Sequence, residues 1–334
     1  MSAPLDVSGK AAEAQPEAAA AGMGKAIQGR SLGQIAWLRL KRDKVAMISG
    51  VIVVVLVLIA LVALLMDRAF GVLSPNEPHE ILIEADTGLP FGRFGGISGS
   101  HLLGVEPVNG RDLLSRIFAG SWISLLIAFG ATLLSVVIGT VMGVVSGYFR
   151  GWVDTLISRL MDIFLAFPLL LFAIAIVGVL PDDAFGLTGD WTRIVVLVFI
   201  IGFFNWPYIG RIVRAQTLSL REREFVDAAR SLGARSPHIL FKELLPNLVA
   251  PILVYSTLLI PTNILFEAAL SFLGVGIRPP TPTWGGMLSD ASSKGWYQTD
   301  PWFMVFPGVA IFITVLAFNL FGDGLRDALD PRAR

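Results

Sequence analysis

The segment SLREREFVDAARSLGARSPHILFKELLPN, residues 219–247, is short, polar and flanked on both sides by long apolar runs. Its pattern predicts two small helices joined by a turn. Ser219 and Glu222 stand three residues apart, the spacing at which each side chain satisfies an orphan amide of a helix's first turn. Phe225, Ala228, Ala229 and Leu232 then recur at i, i+3, i+4 and i+7, a narrow apolar stripe bordered by Arg223, Glu224, Asp227 and Arg230. Gly233 suits the left-handed position that ends such a helix. Ser236 and Pro237 fit the N-cap and first position of the second helix, and Leu244-Leu245-Pro246 predicts its stop. The stripe is too small to hold a helix in lipid and too apolar to be left in water, so it is expected to seat in a groove on another protein.

The surroundings are those of an integral membrane protein. Hydrophobic residues make up 54% of the 334 positions and charged residues 16%, against about 25% charged in soluble domains; mean hydropathy is +0.70. Lys plus Arg equals Asp plus Glu, and no basic run interleaves with aromatics, so nothing points to a nucleic-acid partner. With no cysteine, disulfides, thiolate metal sites and cysteine nucleophiles are excluded.

Residues 1–36 read as a cytoplasmic tail, rich in Ala, Gly, Glu and Pro and expected to be disordered. Residues 37–66 form an amphipathic lead and the first span, Val45–Met66, which is too long for a signal peptide. Residues 67–120 are expected to be an extracytoplasmic loop ending in an interfacial helix, Asp112–Ala119. Residues 121–334 hold five more spans: Trp122–Gly147, Leu160–Leu180, Ile194–Ile212, one beginning near Leu248, and Phe303–Phe321. Gly139, Gly143 and Gly147 repeat every four residues, a face that admits another helix closely, either from this chain or from a second subunit. Pro251 and Pro261 are expected to kink or break the fifth span. Glu267 follows, a candidate pathway or gate residue if it lies at membrane depth and a structural one if it is tied into a hydrogen-bond network. Asp162 is expected to reach the headgroups. This arrangement puts both termini in the cytoplasm, with nineteen Lys and Arg on the assigned inner segments and seven on the outer ones.

The spacing Asp227-Ala228-Ala229, three residues, Gly233, then Leu245-Pro246 resembles the EAA loop of ABC importer permeases. Asp227 stands where that family usually has glutamate, and Glu243 where it usually has an aliphatic residue. HLLGVEPVNGRDLLSR at 101–116, GYFRGWVDTLISRLMDIFLAFP at 147–168, LSFLGVGIRPPTPTWGGML at 270–288 and FPGVAIFITVLAFNLFGDGLRDALDP at 306–331 resemble the second permease subunit of dipeptide and oligopeptide importers, a group with nickel-importing relatives. The resemblance implies an all-α, six-span type I importer permease in the bacterial inner membrane. It also implies a second, homologous permease subunit, two ATPase subunits that carry ATP and Mg, and an extracytoplasmic substrate-binding protein. In that family the loop is the coupling helix seated on the ATPase, which assigns that role to Glu224, Phe225, Asp227, Ala228, Ala229, Leu232, Gly233, Leu245 and Pro246.

No G-x-x-x-x-G-K-[ST] phosphate loop occurs, so ATP hydrolysis is not expected on this chain, nor any cofactor of its own. His79-Glu80 opens a metalloprotease-like motif, but Ile83 stands at the position of the second histidine. A self-sufficient secondary transporter would need several intramembrane carboxylates, and only Glu267 and less clearly Asp162 answer to that. Peptide, nickel and other small solutes are not separable as cargo from these residues.

Overall fold

The computed structural model describes residues 32–66, 74–181 and 183–330. Most of the expected disordered tail lies outside them. Residues 32–36, however, belong to helix α1 (Leu32–Arg42), whose last turn carries Arg39, Lys41 and Arg42. Asp43 ends it and caps α2 (Lys44–Leu65) through Val45 and Ala46. The bundle continues with α3 (Leu113–Phe149), α4 (Gly151–Ala166), α5 (Leu169–Val179) and α6 (Asp190–Leu220). The polar hairpin, built on α7 (Glu224–Ser231) and the single turn α8 (Ser236–His238), leads to α9 (Leu245–Phe272), a short α10 (Trp284–Ser293), α11 (Trp296–Thr299) and α12 (Trp302–Leu329). Among the described residues five helices are long and apolar enough to cross a membrane, or six if the bent pair α4–α5 is counted as one span.

The structure gives three of the spans a definite form. The interfacial helix Asp112–Ala119 is not a separate element, because α3 runs unbroken from Leu113 for 37 residues. No proline interrupts it, and Asp112 caps it by accepting from the Ser115 amide at 2.7 Å. At 1.5 Å per residue it is about 55 Å long, nearly twice the hydrocarbon thickness, so its first turns stand clear of the apolar layer. The third span is bent: Phe167, the residue before Pro168, is extended with ψ 130°, and α4 and α5 meet at 74°. Phe164, Phe172, Phe203 and Phe204 pack around that bend, with Phe172 and Phe204 centroids 4.5 Å apart. The fifth span is a single helix that absorbs both Pro251 and Pro261, so neither proline breaks it.

Helices α3 and α6 form the spine. A Cβ added to Gly139 would lie 2.7 Å from the Trp206 carbonyl oxygen and from the Ile209 side chain; at Gly143 it would meet the Gly210 carbonyl oxygen, and at Gly147 the Thr217 side chain, each at 2.7 Å. The contacts advance together along both helices, so α3 and α6 run parallel, and the partner of the glycine face is α6 of the same chain. On the other helix, Gly202 sits 2.8 Å from the Ala131 carbonyl oxygen by the same measure. Such approach is what hydrocarbon requires, since lipid tails give helices little hydrophobic reason to associate.

The spine also carries hydrogen bonds. Ser135 donates to the Gly202 carbonyl at 2.8 Å. Asn205 donates to Asn263 and Asn263 to Thr132, both at 2.9 Å, joining α6, α9 and α3. All three side chains are buried, and each bond satisfies groups that apolar surroundings would otherwise penalise.

Gly143→Leu is expected to force α3 from α6 at a cost of about 1–3 kcal/mol, read as a lowered thermal midpoint in detergent. Gly178, which has open space around it, should accept the same replacement without change.

Candidate functional site

The polar hairpin sits at the end of the bundle where α3, α6 and α12 finish and α9 begins. Helix α7 comes first, followed by the turn α8 and a π-helical turn, Ile239–Leu244. α6 extends to Leu220, so Ser219 lies inside it and the expected capping box does not form. Packing on α3 past Gly147 and Thr217 overrides the local capping signal. Glu222 instead accepts from Arg150 at 2.7 Å, on the turn between α3 and α4. α7 starts behind Arg223 with no side-chain cap.

The exit of α7 follows the expectation. Gly233 has φ +85°, the Ala234 amide donates to the Ala229 carbonyl at 3.0 Å, and the Gly233 amide to Arg230 at 2.9 Å. These two bonds make the paired closure of a left-handed helix end. The second helix starts one residue earlier than expected, with Arg235 as N-cap; the Ser236 hydroxyl accepts from Tyr148 at 3.2 Å. Leu244-Leu245-Pro246 does not stop it. Residues Ser236–Phe272 form one continuous path, because the π turn passes the Leu245 amide back to Leu240 and sets Pro246 at the start of the next helical stretch, where no amide is needed.

Burial divides the hairpin into two faces. Val226 is fully buried and belongs to one apolar cluster with Val144 of α3, Ile209 and Val213 of α6, and Ile239, Leu244 and Leu248. Phe225 is 36% exposed, Leu232 89% and Phe241 69%, with Glu224, Asp227, Ala228, Gly233 and Pro246 also exposed and Ala229 and Leu245 half-buried. The stripe read from sequence is therefore the face left uncovered within this chain. The anchor, Val226, was missed because a single inward residue in an eight-residue helix generates no periodicity. Phe241 was missed because it lies on the π turn, outside the i, i+3, i+4 pattern.

Three guanidinium–carboxylate contacts tie α4 and the α3–α4 turn to α6 and the hairpin. Arg214 holds Asp154 with two bonds, Nη2 to Oδ2 at 2.7 Å. Arg211 reaches Asp162 at 2.6 Å, so Asp162 serves an interhelical pair. Arg150 with Glu222 is the third, and Arg221 donates to the Tyr148 carbonyl. The paired, two-point geometry at Asp154 fixes direction as well as distance.

Glu267 lies near the far end of α9 and is wholly buried. Ser271 donates to its Oε1 at 2.7 Å, while its Oε2 and the Ser124 hydroxyl of α3 are buried with no hydrogen-bond partner. Beside it, α10 is seated so closely that a Cβ on Gly285 would come 2.8 Å from Ser271. At this end the chain between α2 and α3 folds over the bundle. Glu106, fully buried, accepts from Arg111 at 2.6 and 2.9 Å and lies 3.6 Å from Arg116. Arg116 in turn donates to Asn76 at 3.0 Å, and His101 bonds Asp112, the α3 cap, at 2.8 Å. Burial lifts the Asp300 carboxyl above the usual carboxylate range, opposed by the Trp302 amide. Among the described residues no three His, Asp or Glu side chains gather as a metal-holding group.

Residues 135–334 match the family described as binding-protein-dependent transport system inner membrane component, and residues 31–87 match the N-terminal transmembrane domain of oligopeptide transport permease C. The chain is 40% identical to the dipeptide transport system permease protein DppC of Alkalihalophilus pseudofirmus, over 90% of each chain. It is 40% identical to the glutathione transport system permease protein GsiD of Pectobacterium atrosepticum, over 89% of this chain and 90% of that one. With the oligopeptide transport system permease protein OppC of Haemophilus influenzae the identity is 37%, over 92% and 91%. Among solved structures, the inward-facing MetNI methionine ABC transporter superposes with a TM-score of 0.53 at 21% identity, covering 65% of this chain and 98% of that one. The chain belongs to the inner-membrane permease family of binding-protein-dependent ABC importers.

Proposed function

We propose that this chain is a non-catalytic permease subunit of a peptide importer, pairing with a second permease, two ATPase subunits and an extracytoplasmic binding protein. The observation that carries it is the two-faced hairpin: α7 is pinned inward by Val226 while Phe225, Ala228 and Leu232 stay uncovered. A helix that presents an apolar stripe to water, on a chain of this family, calls for a docking partner, and the ATPase is that partner. The hairpin end of the bundle is then cytoplasmic, in keeping with the arginines along α1, α6 and α7. Peptide cargo is supported by the dipeptide, oligopeptide and glutathione permeases to which the chain is similar.

The mechanism follows from what is rigid and what is bent. ATP binding on the partners favours one arrangement of the docked hairpin over another, and only that differential affinity does mechanical work. Through Val226 and the Arg150–Glu222 pair the shift reaches the α3–α4 turn, and through Arg214–Asp154 and Arg211–Asp162 it reaches α4. The 74° bend between α4 and α5 is where that motion changes direction. Glu267, holding α9 against α3 and α10 at the opposite end, acts as a latch of the outer gate.

Three outcomes test this reading. Ala229→Glu, and Gly233→Leu through its positive φ, should leave the chain in the membrane while co-purified ATPase falls at least severalfold; normal recovery of ATPase with both variants overturns the docking assignment. Asp154→Arg or Arg214→Asp should each lower cargo moved per ATP hydrolysed, and the exchanged pair should restore it, with a coupling energy of about 0.5–3 kcal/mol. Glu267→Gln is expected to raise ATP hydrolysis in the absence of binding protein; unchanged basal hydrolysis and uptake would leave the carboxylate a packing element only.

A further inference from the structure

Helix α1 packs on the bundle by one side only. Ala36 and Leu40 are buried, Leu40 in a cluster with Ala46 and Ala328, and Arg39 donates to the Asp330 carbonyl at 2.7 Å. Trp37, Leu38, Lys41 and Arg42 fall on the other half of the helix and are exposed. The first two are large and apolar, and the turn that follows them is cationic. Lys41 extends over the Trp37 ring, its Nζ 5.3 Å from the centroid. Ile35, Leu38, Arg39 and Arg42 line a cleft of about 190 Å³, the space of about six water molecules.

Between Leu32 and Met66 stand four cations, Arg39, Lys41, Arg42 and Lys44, and one acid, Asp43. The acid is occupied: its Oδ1 accepts from the Val45 and Ala46 amides at 2.9 and 3.1 Å. The side chains of Arg42 and Lys44 make no hydrogen bond or ion pair among the described residues. One residue further on, Val45, Ile48 and Val51 begin the exposed apolar side of α2, the surface that hydrocarbon covers. Lys41, Arg42 and Lys44 therefore stand where the chain enters the bilayer, at the depth of the headgroup phosphates. This continuity with the lipid-facing side of α2, together with the unbalanced positive charge, selects the bilayer over a protein as what covers the outer face of α1.

We propose that this face binds anionic phospholipid of the cytoplasmic leaflet. Lys41, Arg42 and Lys44 take the headgroup phosphates, and Trp37 and Leu38 insert at the boundary between headgroups and acyl chains. The assignment rests on the orientation proposed above, with the hairpin end cytoplasmic; Arg39 ties α1 to the end of α12, at that same end.

Gly33 lies one turn before Trp37 with open space around it, and the chain has no cysteine, so Gly33→Cys carries a single fluorophore. The assembled transporter, its partner subunits freed of cysteine, is reconstituted in phosphatidylcholine with rising fractions of nitroxide-labelled phosphatidylglycerol or nitroxide-labelled phosphatidylcholine. Half-quenching is expected at a roughly fivefold smaller fraction of the anionic lipid, the factor of one cation at a membrane surface, and the preference should shrink as salt rises. Lys41→Gln with Arg42→Gln should erase it, while Lys41→Arg with Arg42→Lys should keep it. Equal quenching by the two lipids, or a preference that survives the paired glutamines, would overturn the anionic site. Absence of quenching by either lipid would show the face covered by a partner subunit and overturn it as well. A membrane-impermeant maleimide should reach the same cysteine in inverted membrane vesicles and not in right-side-out ones; the reverse pattern would overturn the orientation itself, a result separate from the lipid preference.

Discussion

Backbone contact between α3 and α6 is the constraint on which the other features depend. Gly139, Gly143 and Gly147 leave no side chain between the helices, so the register of one on the other is set to within a fraction of an ångström. That register sets the Asn205–Asn263–Thr132 chain, which closes only if α6, α9 and α3 hold their mutual depth. It also sets Val144 and Val213 side by side at the hairpin end, and these form the socket for Val226. In lipid the usual source of cohesion between helices is weak, and close van der Waals approach with a few buried hydrogen bonds replaces it.

From the spine outward the contacts grow more polar and more exposed. Met161 of α4 packs against Gly210 of α6, and the Arg211–Asp162 and Arg214–Asp154 pairs continue the contact between α4 and α6. Ion pairs exposed to this degree contribute little to stability, about 0–1 kcal/mol each. Their value lies in direction: two-point contact at Asp154 resists rotation of α4 on α6. α4 therefore follows α6, while α5, beyond Pro168, is free of the pairs and packs through apolar side chains, Ala173 and Val177 fully buried among them.

The sequence made legible those features that repeat or that local chemistry dictates. Apolar runs marked the spans, the every-four glycines marked a close-packed face, and Gly233 marked the end of α7. It did not say which helix the glycines face, since Ile209 and Val213 are ordinary apolar residues whose spacing announces nothing. Local signals failed where tertiary packing outweighed them. Ser219 and Glu222 satisfy a capping pattern, yet α6 continues past Ser219 because its contact with α3 reaches Thr217. Pro246 reads as a stop and instead opens α9, because the π turn before it shifts the hydrogen-bond register by one. Helix α10 went unread, with Gly285 and Gly286 in its first turn, and Thr283 caps it through the Gly286 amide at 3.0 Å. Its stability comes from Trp284, buried and bonded to the Ile117 carbonyl.

The two ends of the bundle treat polar groups differently, and the difference tracks their tasks. Opposite the hairpin, charged groups are pulled inside and paired: Glu106 is enclosed by Arg111 and Arg116, and Asp112 both caps α3 and holds His101. Such enclosure makes a rigid surface, because removing one partner would strand a buried charge. At the hairpin end the pairs are half-exposed, and large apolar side chains, Trp152, Leu232 and Phe241, are left uncovered. Exposed pairs exchange partners at little cost, and an uncovered apolar stripe gains by being covered. Under the function proposed above, a transmitter that changes its contacts in each cycle needs the second kind of surface, and a platform that presents one shape to a visiting protein needs the first. The proposal gives the chain one at each end, joined by a spine whose glycines allow little slack between them.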